Sequence, residues 1–409
     1  MAEQISIPVG KTCLYTCAER AVEHRRNDKL FSDPKAEILA GQQGWELLEQ
    51  FHNVNGGVRK TPINLSMVIR TKFLDNVLSW CEEELHFQQV VIVAAGMDTR
   101  RFRIASEKII IYELDFPQVL EYKANRLPEI KEYPTDQYKL IGVDFRENNW
   151  HNKLLEANYN PEKASLWIIE GLFVYLTDEQ INGLLEKVNE LTRPGCIIAG
   201  DWMNRSYIES KITKEFRDVF DSFHSPFING RDHDEFNSLF YEKTGFLTQL
   251  YALGEDCSNF NRVPEGQVKV ANEFPIENSS YQYIPRHFLF IGEKQTQGVK
   301  AYSDAFLSKY KAKTPTGDLL SHPDNKPQEL KFEKQEVIEK LIQFANEILN
   351  NAEHTIHLGS SLYSAGFDSF SVLLLANKIE EHICINPPST LAWLFSCDSI
   401  QDIANELCK

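Results

Sequence analysis

Positive charge is in short supply in this chain. Its 409 residues hold 43 Lys and Arg against 59 Asp and Glu, a formal net charge of −16. A surface this acidic repels phosphate backbones and anionic lipid, which excludes nucleic acid and membrane as main partners. Long apolar runs are also missing, and none approaches the roughly 20 residues of a membrane span. The first residues, Met1 to Pro8, lack the basic and apolar stretches of a secretion signal. The eight cysteines (Cys13, Cys17, Cys81, Cys196, Cys257, Cys384, Cys397, Cys408) form neither a Cys-x-x-Cys pair nor a His/Cys cluster. A disulfide framework and a metal site are therefore not expected, and the thiols read as free in a reducing cytoplasm.

What is present is core material: 42% hydrophobic against 25% charged residues, in a chain long enough for two or three domains. The organising stretch is Val90-Val91-Ile92-Val93-Ala94-Ala95-Gly96. Four β-branched residues in a row suit a parallel strand covered on both faces. The small residues after it let a ligand approach the backbone. Ile109 to Tyr112 reads as the next strand and closes on Glu113-Leu114-Asp115. A strand, a small-residue turn and an acid at the next strand end is the layout of a nucleoside-binding α/β domain.

Strand and helix patterns alternate around this unit. Helical spacing over Thr16–His24, Ala36–His52 and Leu65–Leu85, broken by turn signals such as Asn55-Gly56-Gly57, predicts an N-terminal helical cap over residues 1–86. A core over 87–295 follows, with a helix over Phe116–Arg126 and strands at Tyr138–Phe145, Ser165–Glu170 and Cys196–Trp202. Thr177 and Gln180 make a capping box for a helix over Asp178–Leu191. Late strands at Phe246–Leu253 and His287–Gly292 complete a seven-stranded sheet with an antiparallel edge. Residues 203–245 and 254–285 are expected to cover the carboxyl edge of the sheet, where ligands bind. Polar stretches at Thr314–Asp318 and Ser321–Pro327 mark a linker over 296–330. Residues 331–409, with five lysines against eleven Asp and Glu, form a small acidic helical domain.

The nucleoside reads as S-adenosylmethionine. The turn has one glycine, Gly96, where a pyrophosphate fingerprint has three, and a sulfonium ligand calls for acids. The sequence offers one at each of three successive strand ends: Glu113 or Asp115 for the ribose, Asp144 for the adenine amine and Glu170 for the methionine side. Methyl transfer is an in-line displacement, so positioning the nucleophile dominates. A carboxylate acceptor needs no base, whereas a hydroxyl does. His224, His233 and His287 read as surface or structural residues. That reading favours a carboxylate without excluding a hydroxyl.

Val91 to Arg103, Tyr112 to Lys123, Val143 to Arg146 and Ile169 to Leu176, with Thr16 to Asn27 and Ile69 to Asp75 upstream, resemble the leucine carboxyl methyltransferase and polyketide methyltransferase family over roughly 12–295. The resemblance implies a Rossmann-like class I methyltransferase fold, S-adenosylmethionine as cofactor and an oxygen acceptor. It also implies roles: Arg70 meeting a carboxylate of cofactor or substrate, Gly96 as the turn glycine and Asp115 holding the ribose. Asp144 and Phe145 would contact adenine, Glu170 would lie beside the methionine moiety, Arg20 would be a second basic contact and Tyr175 would orient the substrate. Arg70 also has the reading of an ion pair with Asp75, and Tyr175 that of a core residue. Ala94 departs from the family, which has glycine there.

In the C-terminal unit, Leu362 to Phe370 carries Gly366-Phe367-Asp368-Ser369 before a helical run to His382. Asp368 caps the helix and leaves the Ser369 hydroxyl exposed at its start. With no His beside it, Ser369 suits modification by another enzyme. The unit resembles an acyl carrier protein, a small four-helix domain, which implies 4′-phosphopantetheine on Ser369, a phosphopantetheinyl transferase and polyketide or peptide synthase modules as partners. The leading expectation is an O-methyltransferase acting on an acyl thioester held on Ser369. Its alternatives are a methyltransferase of a free small-molecule acid or protein C-terminus, and a scaffold that only docks the carrier.

Overall fold

A computed structural model describes residues 8–54, 65–134, 136–147, 149–211, 213–263, 265–295, 306, 332–349, 356–362, 367, 369–383, 394 and 397–408. The turn at 55–57, the linker stretches 314–318 and 321–327, and Gly366 and Asp368 of the carrier motif lie outside them.

Three helices precede the sheet: α1 (Pro8–Arg25), α2 (Pro34–Val54) and α3 (Leu65–Glu83). Then come β1 (Gln89–Val93), β2 (Ile110–Asp115), α4 (Pro117–Arg126), β3 (Tyr138–Gly142), β4 (Leu166–Ile169), α5 (Asp178–Leu191) and β5 (Ile197–Met203). Helices α6 (Lys214–Ser222) and α7 (His233–Thr244) lead to β6 (Phe246–Ala252), α8 (Glu265–Glu273) and β7 (His287–Lys294). The seven strands form one sheet in the order β3-β2-β1-β4-β5-β7-β6. The Thr177–Gln180 capping box starts α5 as expected.

Every residue of β1 is buried, because helices cover both faces of the sheet. Val91 and Val93 belong to the core shared with α1 and α2, while Val90 and Ile92 belong to the core shared with α3. The strand order reverses between β1 and β4, which pair in parallel through Ile92 and Ile168. Such a reversal opens a crevice at the carboxyl ends of the strands.

Three expectations need correction. The antiparallel strand is β7, one position in from the edge; β6 forms the edge itself. The third strand stops at Gly142, and Val143 to Phe145 leave the sheet toward the crevice. Helix α2 is kinked at Gly41, whose φ of 53° falls in the left-handed region that an L side chain resists.

The described part of the C-terminal unit holds α9 (Lys334–Leu349), α10 (Ser369–His382) and α11 (Ile400–Leu407). Val337, Leu341, Val372, Leu375, Ile379, Ile400 and Ile403 pack as its core. Val270 of α8 and Ile284 join the same cluster, so segment 254–285 faces the carrier unit and supplies no wall of the crevice. Phe306 is buried, its ring centroid 5.6 Å from those of Phe73 and Trp80. It seats this residue of the expected linker in the α3 core.

Candidate functional site

The crevice is a cavity of about 360 Å³ whose walls come from α1, α3, the β1 turn, the ends of β2, β4 and β5, and the start of β7. Its floor is the turn after β1. Gly96 has φ 52° and donates its backbone N–H to Asp115 Oδ2 at 2.7 Å. A Cβ built on Gly96 would stand 2.8 Å from Cys13 Sγ of α1, so the cap closes onto the turn only because the side chain is absent. Asp115 Oδ1 accepts from Phe116 N at 2.7 Å, which fixes the carboxylate at the end of β2. Burial pushes Asp115 up to about 6, against the pull of those two amides.

Of the two acids offered for the ribose position, only Asp115 lines the cavity. Glu113 is fully buried among Lys123 and Tyr138, whose hydroxyl donates to it at 2.9 Å, and burial pushes it up to about 7. It holds α4 and β3 to β2. Asp144 and Phe145 both line the cavity. Asp144 is half-buried and paired with Arg146, which holds its carboxyl below the usual range by a direct hydrogen bond. The Phe145 ring is fixed edge-on against Trp150, centroids 5.2 Å apart.

Arg70, Glu170 and Arg20 also line the cavity, as nodes of a buried ionic chain. Arg70 Nε donates to Glu170 Oε1 at 2.9 Å and its Nη1 to Asp201 Oδ2 at 3.0 Å. The alternative reading of Arg70 as an ion pair with Asp75 does not hold: Asp75 binds Arg100 at 2.9 Å and Arg103 at 2.7 Å. Arg100 reaches Glu170 Oε2 at 2.9 Å and pairs with Asp98. Arg20 Nε donates to Asp33 Oδ2 at 3.0 Å, and its Nη2 donates to the Met97 carbonyl at 2.5 Å, tying α1 to the turn. Burial raises the Glu170 and Asp98 carboxyls, but the arginines outweigh it and hold both below their ordinary values. Burial likewise opposes ionisation of Asp201, yet Arg70 and His287 hold it at about 2.

Tyr175 lies in a short 3-10 turn (Phe173–Tyr175) and lines the cavity, its ring edge-on to Phe227 at 5.3 Å. Burial pushes its hydroxyl well up, so it stays protonated. Met203, Phe216, Phe220 and Phe227 make the neighbouring wall apolar, as expected for segment 203–245. Ser369 is the first residue of α10.

Sequence reasoning missed Asp33, Asp98, Arg100, Arg103 and Asp201, and misassigned Asp75 and His287. Asp201 follows the strand-end rule applied to the other acids, but on β5. His287 was set aside as a lone histidine, yet it lines the cavity and is bonded to Asp201, Nε2 to Oδ2, at 2.8 Å. Among the described residues no cluster of metal-binding side chains occurs, and no helix is long and apolar enough to cross a membrane.

The leucine carboxyl methyltransferase family matches residues 13–189, and the phosphopantetheine attachment site family matches 339–407. Two similar proteins are provisionally named as S-adenosyl-L-methionine-dependent methyltransferases. The one from Mycobacterium marinum is 32% identical over 209 residues, 48% of this chain and 64% of that protein. The one from Mycolicibacterium smegmatis is 30% identical over 207 residues, 49% of this chain and 69% of that protein. The match thus spans about two thirds of the relatives' length. Among solved structures, one from Thermobifida fusca aligns at a TM-score of 0.44 and 11% identity, covering 63% of this chain and 92% of that chain.

Proposed function

Because the chain belongs to the leucine carboxyl methyltransferase family and carries a phosphopantetheine attachment domain, we propose that it is an S-adenosylmethionine-dependent O-methyltransferase. Its acceptor is an acyl chain tethered to its own Ser369, in polyketide or mixed polyketide–peptide biosynthesis. The observation that carries this reading is the crevice at the β1/β4 reversal, where Asp115 is latched to Gly96 and acids meet apolar walls.

The residues present suit the cofactor. Gly96 lets α1 close over the turn beneath the cavity, since a Cβ there would meet Cys13 Sγ. Asp115 offers its remaining lone pairs to ribose hydroxyls, and Asp144 with Phe145 offers an acceptor and a ring edge to adenine. Arg70, Arg20 and Glu170 serve the charged amino-acid end. When bound, S-adenosylmethionine supplies an electrophilic methyl group on a sulfonium. Tyr175, held protonated, donates a hydrogen bond that orients the acceptor. The apolar wall from Met203 to Phe227 takes the acyl chain and keeps water away.

Delivery by tether is supported by α8 and Ile284, which give the carrier unit an apolar seat on the same chain. A carrier held on the chain raises the local acceptor concentration without any added affinity. Since the thioester uses the proximal carboxyl, the methylated oxygen belongs to another group on the acyl chain. The test loads the chain with acyl-phosphopantetheine, adds S-adenosylmethionine and weighs the Ser369 adduct. A gain of one methyl in the wild type, and none on acyl chains offered to Ser369→Ala, is the expected result. Equal methylation of a free acid by wild type and Ser369→Ala would reject the tether.

A further inference from the structure

His287 is one of the more constrained side chains in the cavity. It starts β7, pairs across the sheet with Met203 and is 7% exposed. Its Nε2 lies 2.8 Å from Asp201 Oδ2, the oxygen that also accepts from Arg70 at 3.0 Å. Its Nδ1 is buried with no hydrogen-bond partner. An ionised carboxylate only accepts, so Nε2 carries a proton, and in the neutral ring it is Nδ1 that keeps the lone pair. A buried ring nitrogen left without a partner costs free energy unless a ligand atom satisfies it.

The cations point the same way. Each arginine among the described lining residues is already ion-paired: Arg20 with Asp33, Arg70 with Glu170 and Asp201, Arg100 with Asp98 and Glu170, Arg103 with Asp75, and Arg146 with Asp144. A carboxylate acceptor would compete with the cofactor's own carboxylate for guanidiniums that are already ion-paired, whereas a neutral hydroxyl needs only an acceptor for its proton.

We propose that His287 is the catalytic base, that Asp201 is its positioning residue, and that the methylated group is a hydroxyl. The inference rests on the methyltransferase reading above and narrows its acceptor. As the hydroxyl oxygen forms its bond to the sulfonium methyl carbon, the carbon–sulfur bond breaks and its electron pair stays on sulfur. The hydroxyl proton passes to His287 Nδ1, and Asp201 stabilises the resulting imidazolium. Arg70 keeps Asp201 in place by holding the same oxygen, and Glu170 in turn holds Arg70.

The experiment begins with S-adenosylhomocysteine binding by calorimetry to wild type, His287→Gln and Asp201→Asn. No binding to wild type would reject the methyltransferase reading itself; retained binding by His287→Gln isolates the base. Two otherwise identical acyl chains are then loaded on Ser369, one bearing a hydroxyl and one ending in a carboxylate. The wild type is expected to methylate the hydroxyacyl chain, and His287→Gln to do so about 10²–10⁴-fold more slowly. Wild-type rates in His287→Gln, or methylation of the carboxylate chain alone, would overturn the proposal. Nitrogen-15 histidine spectra give a readout that needs no substrate. The His287 signal, found by its loss in His287→Gln, is expected as the Nε2-protonated tautomer, with a second tautomer appearing in Asp201→Asn. A signal protonated on Nδ1 in the wild type, or unmoved in Asp201→Asn, would sink it.

Discussion

Ala94 leaves β1 with φ at 53°, a left-handed conformation that costs an L residue roughly 1–2 kcal/mol. The departure from the family's glycine is thus a matter of backbone strain as much as of an added methyl. Ala94→Gly relieves that strain and gives back part of the gain as unfolded-state entropy, for an expected net stabilisation of about 0.5–1 kcal/mol in thermal unfolding. At the end of the next strand, Asp115 links pH to both folding and binding. Its folded value of about 6 lies above its ordinary 3.8. The native state therefore binds the proton more tightly, and this group's contribution to stability falls as pH rises from 3.8 to about 6, then levels off. Ligand binding is expected to run the other way, since the proposed contact of Asp115 with ribose needs a carboxylate. S-adenosylhomocysteine affinity is expected to weaken as pH drops through about 6 in the wild type. Asp115→Asn should bind weakly at both ends of that range, and calorimetry at pH 5 and 8, roughly one unit below and two above that midpoint, reads the difference.

The short helix Arg100–Arg103 shows what an element does here that no single residue does. Arg100 and Arg103 leave it to hold acids from three other segments: Asp75 on α3, Asp33 before α2 and Glu170 after β4. Arg100→Met would leave Glu170 and Asp98 without their strongest counter-charge. A loss of about 3–5 kcal/mol in thermal unfolding is expected, because uncompensated buried charges are costly. The acids of this chain also set its acid limit. Asp33, Asp98, Glu170 and Asp201 are depressed, so their stabilisation is present above ordinary carboxylate values and is lost as pH falls toward about 2. The sheet was largely legible in the sequence, since runs such as Val90–Val93 and Trp167–Ile169 announce buried parallel strands by themselves. The order of β6 and β7 was not, because period-two patterns carry no strand direction. Asp115, Gly96, Asp144 and Glu170 were legible because strand ends and turns place them. The ionic chain was hidden, because its members lie scattered from Arg20 to His287 and meet only through the fold. His287 was misjudged for the same reason: its partner sits 86 residues away.

At the scale of the whole molecule, the catalytic and carrier units share Val270 and Ile284 as common core. Val270→Asp places a charge in that seat. Hydrogen exchange along Ser369–His382 is expected to speed up, with S-adenosylhomocysteine affinity unchanged. Exchange as slow as in the wild type would mean the seat does not hold the carrier. The ionic chain bears on turnover as well. From Arg20 to His287 it counts four arginines and five carboxylates, so it holds one negative charge in excess when His287 is neutral. The methyl donor carries one net positive charge, and the spent sulfur product carries none. Inside a poorly polarisable pocket that difference favours loading fresh donor over keeping the product. The expected consequence is tighter binding of S-adenosylmethionine than of S-adenosylhomocysteine, a gap that calorimetry reads and that should narrow as salt rises.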